Sequence, residues 1–202
     1  IAEMIEAANT SYAAIDNAAF TPAESNEISS RLLAKSKLPM VATPMSLDGQ
    51  VFFHHASDNT AMLHIDTAGR TVVFSRGIAD ISGLESTPAL PTNEEAPAIA
   101  TSLLNELELA PERSEELVVE HIGGLNMGVE GPDGETKVFE KLRTVRFGRR
   151  LGGQRVIGRG SRIQVQLGKE GELRGVIRRW DEVQANSIAP EAKFTAEEIR
   201  EM

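Results

Sequence analysis

The feature that most constrains the fold is a series of strand-length segments separated by short glycine turns in the second half of the chain. In residues 162–167 apolar and polar side chains alternate strictly, so that the three apolar residues share one face. Glycine turns at residues 152–153 and 168–171 separate such segments. Because turns this short join antiparallel neighbours, the pattern predicts an antiparallel sheet. The strand candidates are residues 117–122, 138–147, 154–157, 162–167 and 173–180.

Two helices and a meander are predicted for the first half. Alanine and apolar residues near helical spacing predict a helix over residues 2–19. Thr21 and Glu24 have the spacing of a capping box, and the proline that follows Thr21 suits the first turn, so a second helix is predicted to about residue 35. Three strands separated by turn-rich segments follow, at residues 51–55, 61–66 and 71–76.

The second half repeats this order of a helix followed by strands. Thr92 or Asn93 caps a predicted helix over residues 94–107. The hairpins at residues 61–76 and 162–177 share one plan, an apolar strand, a glycine turn and a returning strand. The sequence therefore predicts an α+β protein of two related units, with antiparallel sheets that each pack on a helix. The predicted organisation is one unit over 1–84, a linker over 85–94, a second unit over 95–184 and a tail over 185–202.

Charge is distributed unevenly along the chain. The formal net charge is −9, yet residues 137–179 hold 13 basic and 3 acidic residues, a local balance of +10 that leaves −19 for the remainder. A split of this size requires either an anionic partner or acidic groups within the chain. The candidate partner-binding residues are Arg143, Arg146, Arg149, Arg150, Arg155, Arg159, Arg162, Arg174 and Arg178.

Several classes of site are excluded by the residues that the chain lacks. It has no cysteine, which excludes thiol nucleophiles, disulfides and cysteine zinc sites. It has no phosphate-binding loop, dinucleotide-binding motif, nucleophile elbow or zinc-protease motif, and its one Gly-x-Gly, at 158–160, lies between two short strands. The expectation is a protein that is not an enzyme, has no cofactor and has no segment of the ~20 apolar residues that would span a membrane.

Three histidines provide the alternative hypothesis of a small metal-binding protein or enzyme. His54, His55 and His64 fall within two strand candidates that form a hairpin, and Asp58 and Asp66 are near them in the sequence. Imidazoles beside a carboxylate suit zinc binding or acid–base catalysis. These histidines are also explained as partly exposed strand residues with hydrogen-bonding neighbours, because no known ligand spacing selects them.

The basic segment has three interpretations. Nucleic-acid binding is not expected, because Phe139, Phe147 and Trp180 are its only aromatic residues and its basic residues fall on both strand faces. The arginines can instead pair with the acidic remainder of the chain or bind a protein partner. A third interpretation is an anionic ligand or an envelope polymer bound by the basic sheet.

The same segment resembles a known family. Residues 141–177 resemble the core of PepSY-type domains and of the related propeptide domains of thermolysin-like and fungalysin-like metalloproteases. The shared pattern is a strand, a turn with Gly153, Val156 and Gly158, a second strand, and a returning strand after Gly171 and Leu173. The resemblance covers roughly residues 95–180, and the first half carries a weaker echo of it.

The resemblance implies a cystatin-like arrangement, in which a curved antiparallel sheet packs on a helix. It also implies an extracytoplasmic, secreted or periplasmic, noncatalytic module that inhibits a protease, assists its folding, or binds a protein in the cell envelope. The chain departs from the protease precursors because no zinc-protease domain follows within it. A capping sequence at residues 195–198 predicts the start of another helix, so we expect the natural chain to continue, and an anchor would lie in that continuation.

Overall fold

A computed structural model describes residues 11–14, 18–38, 45–54 and 61–186 of the chain. In this part the protein is α+β, with two helices, a nine-stranded antiparallel sheet and a separate two-stranded ribbon. The helices are α1 (Pro22–Ser36) and α2 (Ala96–Glu106). The strands are β1 (Ser11–Ala14), β2 (Met45–Leu47), β3 (Gln50–His54), β4 (Met62–Asp66), β5 (Thr71–Ser75), β6 (Leu117–Glu130), β7 (Thr136–Leu151), β8 (Gln154–Val156), β9 (Ser161–Leu167), β10 (Leu173–Trp180) and β11 (Val183–Asn186).

The capping box predicted at Thr21 and Glu24 is present, and a second exchange of this kind, where the sequence predicted a cap by Thr92 or Asn93, precedes α2. At α1 the Thr21 hydroxyl accepts a hydrogen bond from the Glu24 backbone N–H, at 3.2 Å, and the Glu24 carboxylate accepts one from the Thr21 N–H, at 2.7 Å. Thr92 and Glu95 repeat this exchange one turn before α2, at 3.2 and 2.9 Å. At α1 this exchange satisfies N–H groups at the helix N-terminus, whereas at α2 it fixes the turn before the helix, whose N-cap residue Glu95 makes no side-chain capping bond.

Apart from the β1–β11 ribbon, the strands of both halves belong to a single sheet. Its order is β2-β3-β4-β5-β10-β9-β7-β6, and β8 pairs with part of β7. The two halves meet where β5 pairs with β10, which sets Phe74 opposite Val176. The predicted antiparallel pairing is present, but the sheets expected in the two halves are joined edge to edge.

The structure differs from the sequence predictions at the ends of the described chain and in β6. Residues 11–14 form a strand paired with Val183–Asn186, so the predicted helix over 2–19 is wrong there, because pairing with a distant strand overrides the helix preference of alanine. The rest of that helix, and the helix start at 195–198, lie outside the described residues. β6 extends to Glu130 although residues 123–128 do not alternate, because β7 pairs with it along its whole length. The short strand β2 was not predicted.

The hydrophobic core lies on one face of the sheet, between the sheet and the two helices. It includes Leu32 from α1 and Leu104 from α2, both fully buried, together with Leu63, Phe74 and Val165 from the sheet. No helix in the described part of the chain lies on the opposite face, which we call the open face.

The predicted linker between the halves is fixed to the sheet. Residues 85–94 form no helix or strand, but the Thr87 N–H donates to the Glu140 carbonyl and its hydroxyl to the Lys141 carbonyl, both at 2.8 Å. The buried Lys141 ammonium donates to the carbonyls of Gly83 and Glu85. These bonds fasten the segment to β7.

Candidate functional site

The basic segment divides between the two faces of the sheet. Directly opposite residues of paired strands share a face, so the strand register assigns most of the arginines to the helix-covered face or to the open face. Arg159 lies in the loop between β8 and β9 and borders the open face beside Arg179. The arginines on the helix-covered face are buried, whereas most of those on the open face are exposed. The two groups differ in their partners.

Arg149 lies in the interior beneath the end of β7. Its side chain is 1% exposed, its guanidinium lies 4.0 Å from the centre of the Trp180 ring, and its Nε is 3.1 Å from the Glu116 carboxylate. Arg113 reaches the other Glu116 oxygen at 2.9 Å. Burial raises the pKa of Glu116 despite both arginines, and burial also lowers the pKa of Arg149. The loss of hydration therefore destabilises the charged forms of these side chains more than their mutual attraction stabilises them.

Arg174 is 2% exposed and fixes the start of the segment between the halves. It donates two hydrogen bonds to the Asp80 carboxylate, at 2.5 and 2.7 Å, and a third to the Gly77 carbonyl at 2.9 Å. The hydrogen bonds from Arg174 lower the pKa of the Asp80 carboxyl. This arginine fixes the 3-10 turn Ala79–Ile81 against β10.

Arg178 is 6% exposed and binds backbone carbonyls. Its Nε donates to the Leu109 carbonyl at 3.1 Å, and the nearest carboxylate, that of Glu182, is 3.9 Å away. Burial lowers the pKa of Arg178 to about 10, so it is charged at neutral pH. Because Arg149, Arg174 and Arg178 are all buried, they offer no surface to a partner and are removed from the predicted partner-binding set.

Arg143 and Arg155 each bind another group of the protein near the surface. The half-buried Arg143 donates from Nε to the Pro91 carbonyl at 3.0 Å, which ties β7 to the segment before α2. Arg155 lies on the open face and binds Glu120 at 2.6 Å, and this hydrogen bond lowers the pKa of Glu120.

The other open-face arginines have no ion-pair partner within the described ranges. They are the predicted residues Arg146, Arg150, Arg159 and Arg162, together with Arg179, which the sequence analysis did not select. Nε of Arg146 is buried and has no hydrogen-bond partner. Arg179 follows the buried Arg178 directly, and alternation along β10 sends the two side chains to opposite faces. That alternation is the signal from which Arg179 could have been found.

Like charges face each other across the strands of the open face. Arg150 lies directly opposite Arg155, and Arg162 lies directly opposite Arg179. Cross-strand pairs of like charge destabilise a sheet. Glu120 forms an ion pair with Arg155, and its charge also acts on Arg162 and Arg146, although no described carboxylate lies within ion-pair distance of Arg162 or Arg179. The open face therefore holds more positive charge than Glu120 neutralises.

A groove lies beside the Arg162–Arg179 pair. It has a volume of about 480 Å³, and its walls come from the β4–β5 turn and from the loop between β8 and β9. The lining residues that bear on its chemistry are His64, Asp66, Thr71, Arg159, Arg179 and Asp181.

The predicted histidine cluster is described only in part. His64 and His54 share the open face, and the Phe52 ring stacks on His64 at 4.5 Å and on His54 at 6.4 Å between ring centres. Nε2 of His64 is 2.5 Å from the Gln50 side-chain oxygen. His55 and Asp58 lie outside the described residues, so the three-histidine site stays a prediction. Among the residues that are described, no group of three or more histidine or acidic side chains could hold a metal ion.

Comparison with known proteins supports the fold alone. No protein-family model matches the chain, and no curated protein matches it. The chain is similar to the crystal structure of an uncharacterized protein from Eubacterium rectale ATCC 33656, with a TM-score of 0.50 and 12% sequence identity. The match covers 89% of this chain and 60% of that one. Within the described residues, no helix has the length and apolar character that a membrane crossing requires.

Proposed function

We propose that this protein is a noncatalytic interaction module that binds an acidic protein partner through the arginines of its open face. The observation that carries the proposal is the group of arginines without ion-pair partners among the described residues, two of which, Arg162 and Arg179, lie directly opposite each other. An arrangement that costs stability is explained when a bound anion offsets the repulsion.

An acidic protein fits this face better than a long polyanion does. The arginines adjoin half-buried apolar side chains of the same face, among them Val73 and Ile177. Protein interfaces combine an apolar centre with charged groups, whereas nucleic acids and other polyanions bind mainly through their charge. The net charge of −9 also repels a long polyanion that extends beyond the basic patch.

The order of elements supports two related, cystatin-like units as part of the proposal. Each half has a helix followed by antiparallel strands, α1 before β2 to β5 and α2 before β6 to β10. The last strand that each half contributes to the nine-stranded sheet, β5 or β10, lies at the middle of that sheet. This symmetric order agrees with a duplicated PepSY-like unit. With that family resemblance comes the further proposal of an extracytoplasmic, propeptide-like role in inhibiting or assisting a protease.

The test compares two variants with equal loss of charge. In the first, Arg146, Arg150 and Arg162 on the open face are replaced by glutamine. In the second, three basic residues on the helix side, Lys35, Lys37 and Lys169, are replaced by glutamine. We expect proteins cross-linked to the wild type in extracts of the native host to be lost with the first variant and retained with the second.

Three results would contradict the proposal. One is equal recovery of partner proteins by both variants. Another is recovery of nucleic acid or an anionic polymer alone, which would favour the polymer alternative. The third is stoichiometric zinc in the purified protein that is lost on His64→Ala, which would favour the histidine hypothesis.

A further inference from the structure

The groove beside Arg179 has walls of fixed shape. One wall is the loop between β8 and β9, in which Gly158 and Gly160 have φ angles of 136° and 76°. A Cβ atom at Gly160 would lie 1.8 Å from the Asp181 carboxylate, so glycine is required for Asp181 to pack against this loop. Arg159, between the two glycines, is thereby carried on a sharply turned backbone at the edge of the groove.

Two carboxylates, those of Asp66 and Asp181, line the groove together with its two arginines. Asp66 accepts a hydrogen bond from the Gly69 N–H at 3.0 Å within its own turn. Asp181 lies against Gly160, and its charge acts on the buried Arg149 and Arg178. Neither carboxylate forms an ion pair with Arg159 or Arg179 in the described structure. The groove therefore presents two unpaired guanidinium groups.

Apolar side chains of the open face lie next to Arg179. On the open face Arg179 is two residues from Ile177, and Ile177 lies directly opposite Val73. Val73 lies opposite His64, and His64 lies opposite Phe52, whose ring stacks on it. Two residues along a strand span about 6.6 Å, which is also the separation of alternate side chains on an extended peptide. An extended partner segment can therefore contact both these apolar side chains and the guanidinium groups with the side chains on one of its own faces.

We infer that this groove anchors a carboxylate of the partner, held by Arg159 and Arg179, next to an apolar side chain that lies on Val73 and Ile177. The recognised segment is an extended acidic peptide in which acidic and apolar residues are close together. This inference rests on the proposed function and names the part of the open face that selects the partner. Guanidinium groups suit it because they bind carboxylates through paired hydrogen bonds.

The test uses short fluorescein-labelled peptides and fluorescence anisotropy. One peptide alternates Glu with Leu, a second replaces Leu by Ser, and a third replaces Glu by Gln. We expect the Glu–Leu peptide to bind most tightly and the Gln–Leu peptide not to bind. Equal binding of the Glu–Leu and Glu–Ser peptides would overturn the apolar part of the inference.

Single variants then locate the anchor. We expect Arg159→Gln and Arg179→Gln each to weaken binding of the Glu–Leu peptide about tenfold, the effect of losing a charge-assisted hydrogen bond. Arg150→Gln, on the open face outside the groove, is a comparison for diffuse charge. Lys37→Gln is the control, because Lys37 is exposed and lies on the helix side. It should weaken binding less than about threefold. Arg179→Lys retains the charge and should recover only part of the affinity.

The possible failures can be told apart. If Arg150→Gln weakens binding as much as Arg159→Gln and Arg179→Gln, the open face binds acidic peptides by diffuse charge, and the groove is not an anchor. If the triple substitution of Arg146, Arg150 and Arg162 leaves both peptide and partner binding unchanged, the proposed function fails. Matching circular dichroism spectra and thermal midpoints of each variant and the wild type exclude unfolding as the cause of lost binding.

Discussion

Arg178 and Arg179 are neighbours in β10, and they point to opposite faces of the sheet with opposite consequences. Arg178 is buried beneath the helix-covered side and donates to the Leu109 carbonyl, whereas Arg179 is exposed on the open face with no ion-pair partner in the described chain. The same contrast separates Arg149 from Arg150 in β7. Side-chain parity along a strand therefore divides one basic segment into arginines that hold the fold and arginines available for binding.

The comparison is tested most severely at Arg149 and Arg150. We expect Arg149→Met to lower the free energy of unfolding by about 3–5 kcal/mol, because it removes one of the two arginines that pair with the buried Glu116 and also removes the stack on Trp180. Arg150→Met should change it by less than about 0.5 kcal/mol. Urea unfolding of the two variants measures the difference. Similar losses in the free energy of unfolding at both positions would contradict the division between arginines that stabilise the fold and arginines that are available for binding.

The second test is the adjacent pair in β10. Arg178→Met should cost about 1–3 kcal/mol, because the buried Leu109 carbonyl loses its side-chain donor. Arg179→Met should leave the free energy of unfolding unchanged or raise it by about a few tenths of a kcal/mol, because it removes a like charge opposite Arg162. Thermal unfolding monitored by circular dichroism provides the readout. A loss at Arg179 as large as that at Arg178 would contradict the assignment of the two faces.

A smaller effect is expected from the acidic partner of Arg174. Because hydrogen bonds from Arg174 lower the pKa of Asp80, the stabilisation that Asp80 provides is present above the usual carboxyl pKa, near pH 4, and is lost as the pH falls through the lower folded value. The Asp80 side chain is 55% exposed, so we expect Asp80→Asn to cost about 1 kcal/mol or less at neutral pH.

The difference between wild type and this variant should disappear with acidification. Unfolding measured from pH 7 to pH 2 shows whether the two stability curves converge. Curves that stay parallel throughout would mean that the Asp80–Arg174 bond does not carry the effect.

The parts of the fold that local sequence determines were predicted from it. The Thr21–Glu24 capping box depends on residues three positions apart, and the strand Ser161–Leu167 depends on strict alternation. Strand β1 pairs with a strand that is distant in the sequence. Strand β6 continues through residues that have no alternating pattern, because β7 pairs with it. Local preference gives no information about such pairings.

The candidate site was predicted only as a segment, because burial of individual arginines depends on register. Alternation with Val176 and Trp180 places Arg178 on the core side, so the sequence contained that information. Arg174 is different, since the register of β10 against β9 shifts between Leu173 and Gly175. The shift leaves Arg174 as an extra residue in a bulge, where alternation no longer assigns a face.

The central claim is that the open-face arginines are retained for binding and not for the fold. Its most direct test is the free energy of unfolding of the variant with Arg146, Arg150 and Arg162 replaced by glutamine, measured by urea denaturation in the same buffer as partner binding. We predict that the variant is as stable as the wild type or more stable, by up to about 1 kcal/mol, and no longer binds. A variant destabilised by several kcal/mol, or one that binds as the wild type does, would contradict the claim.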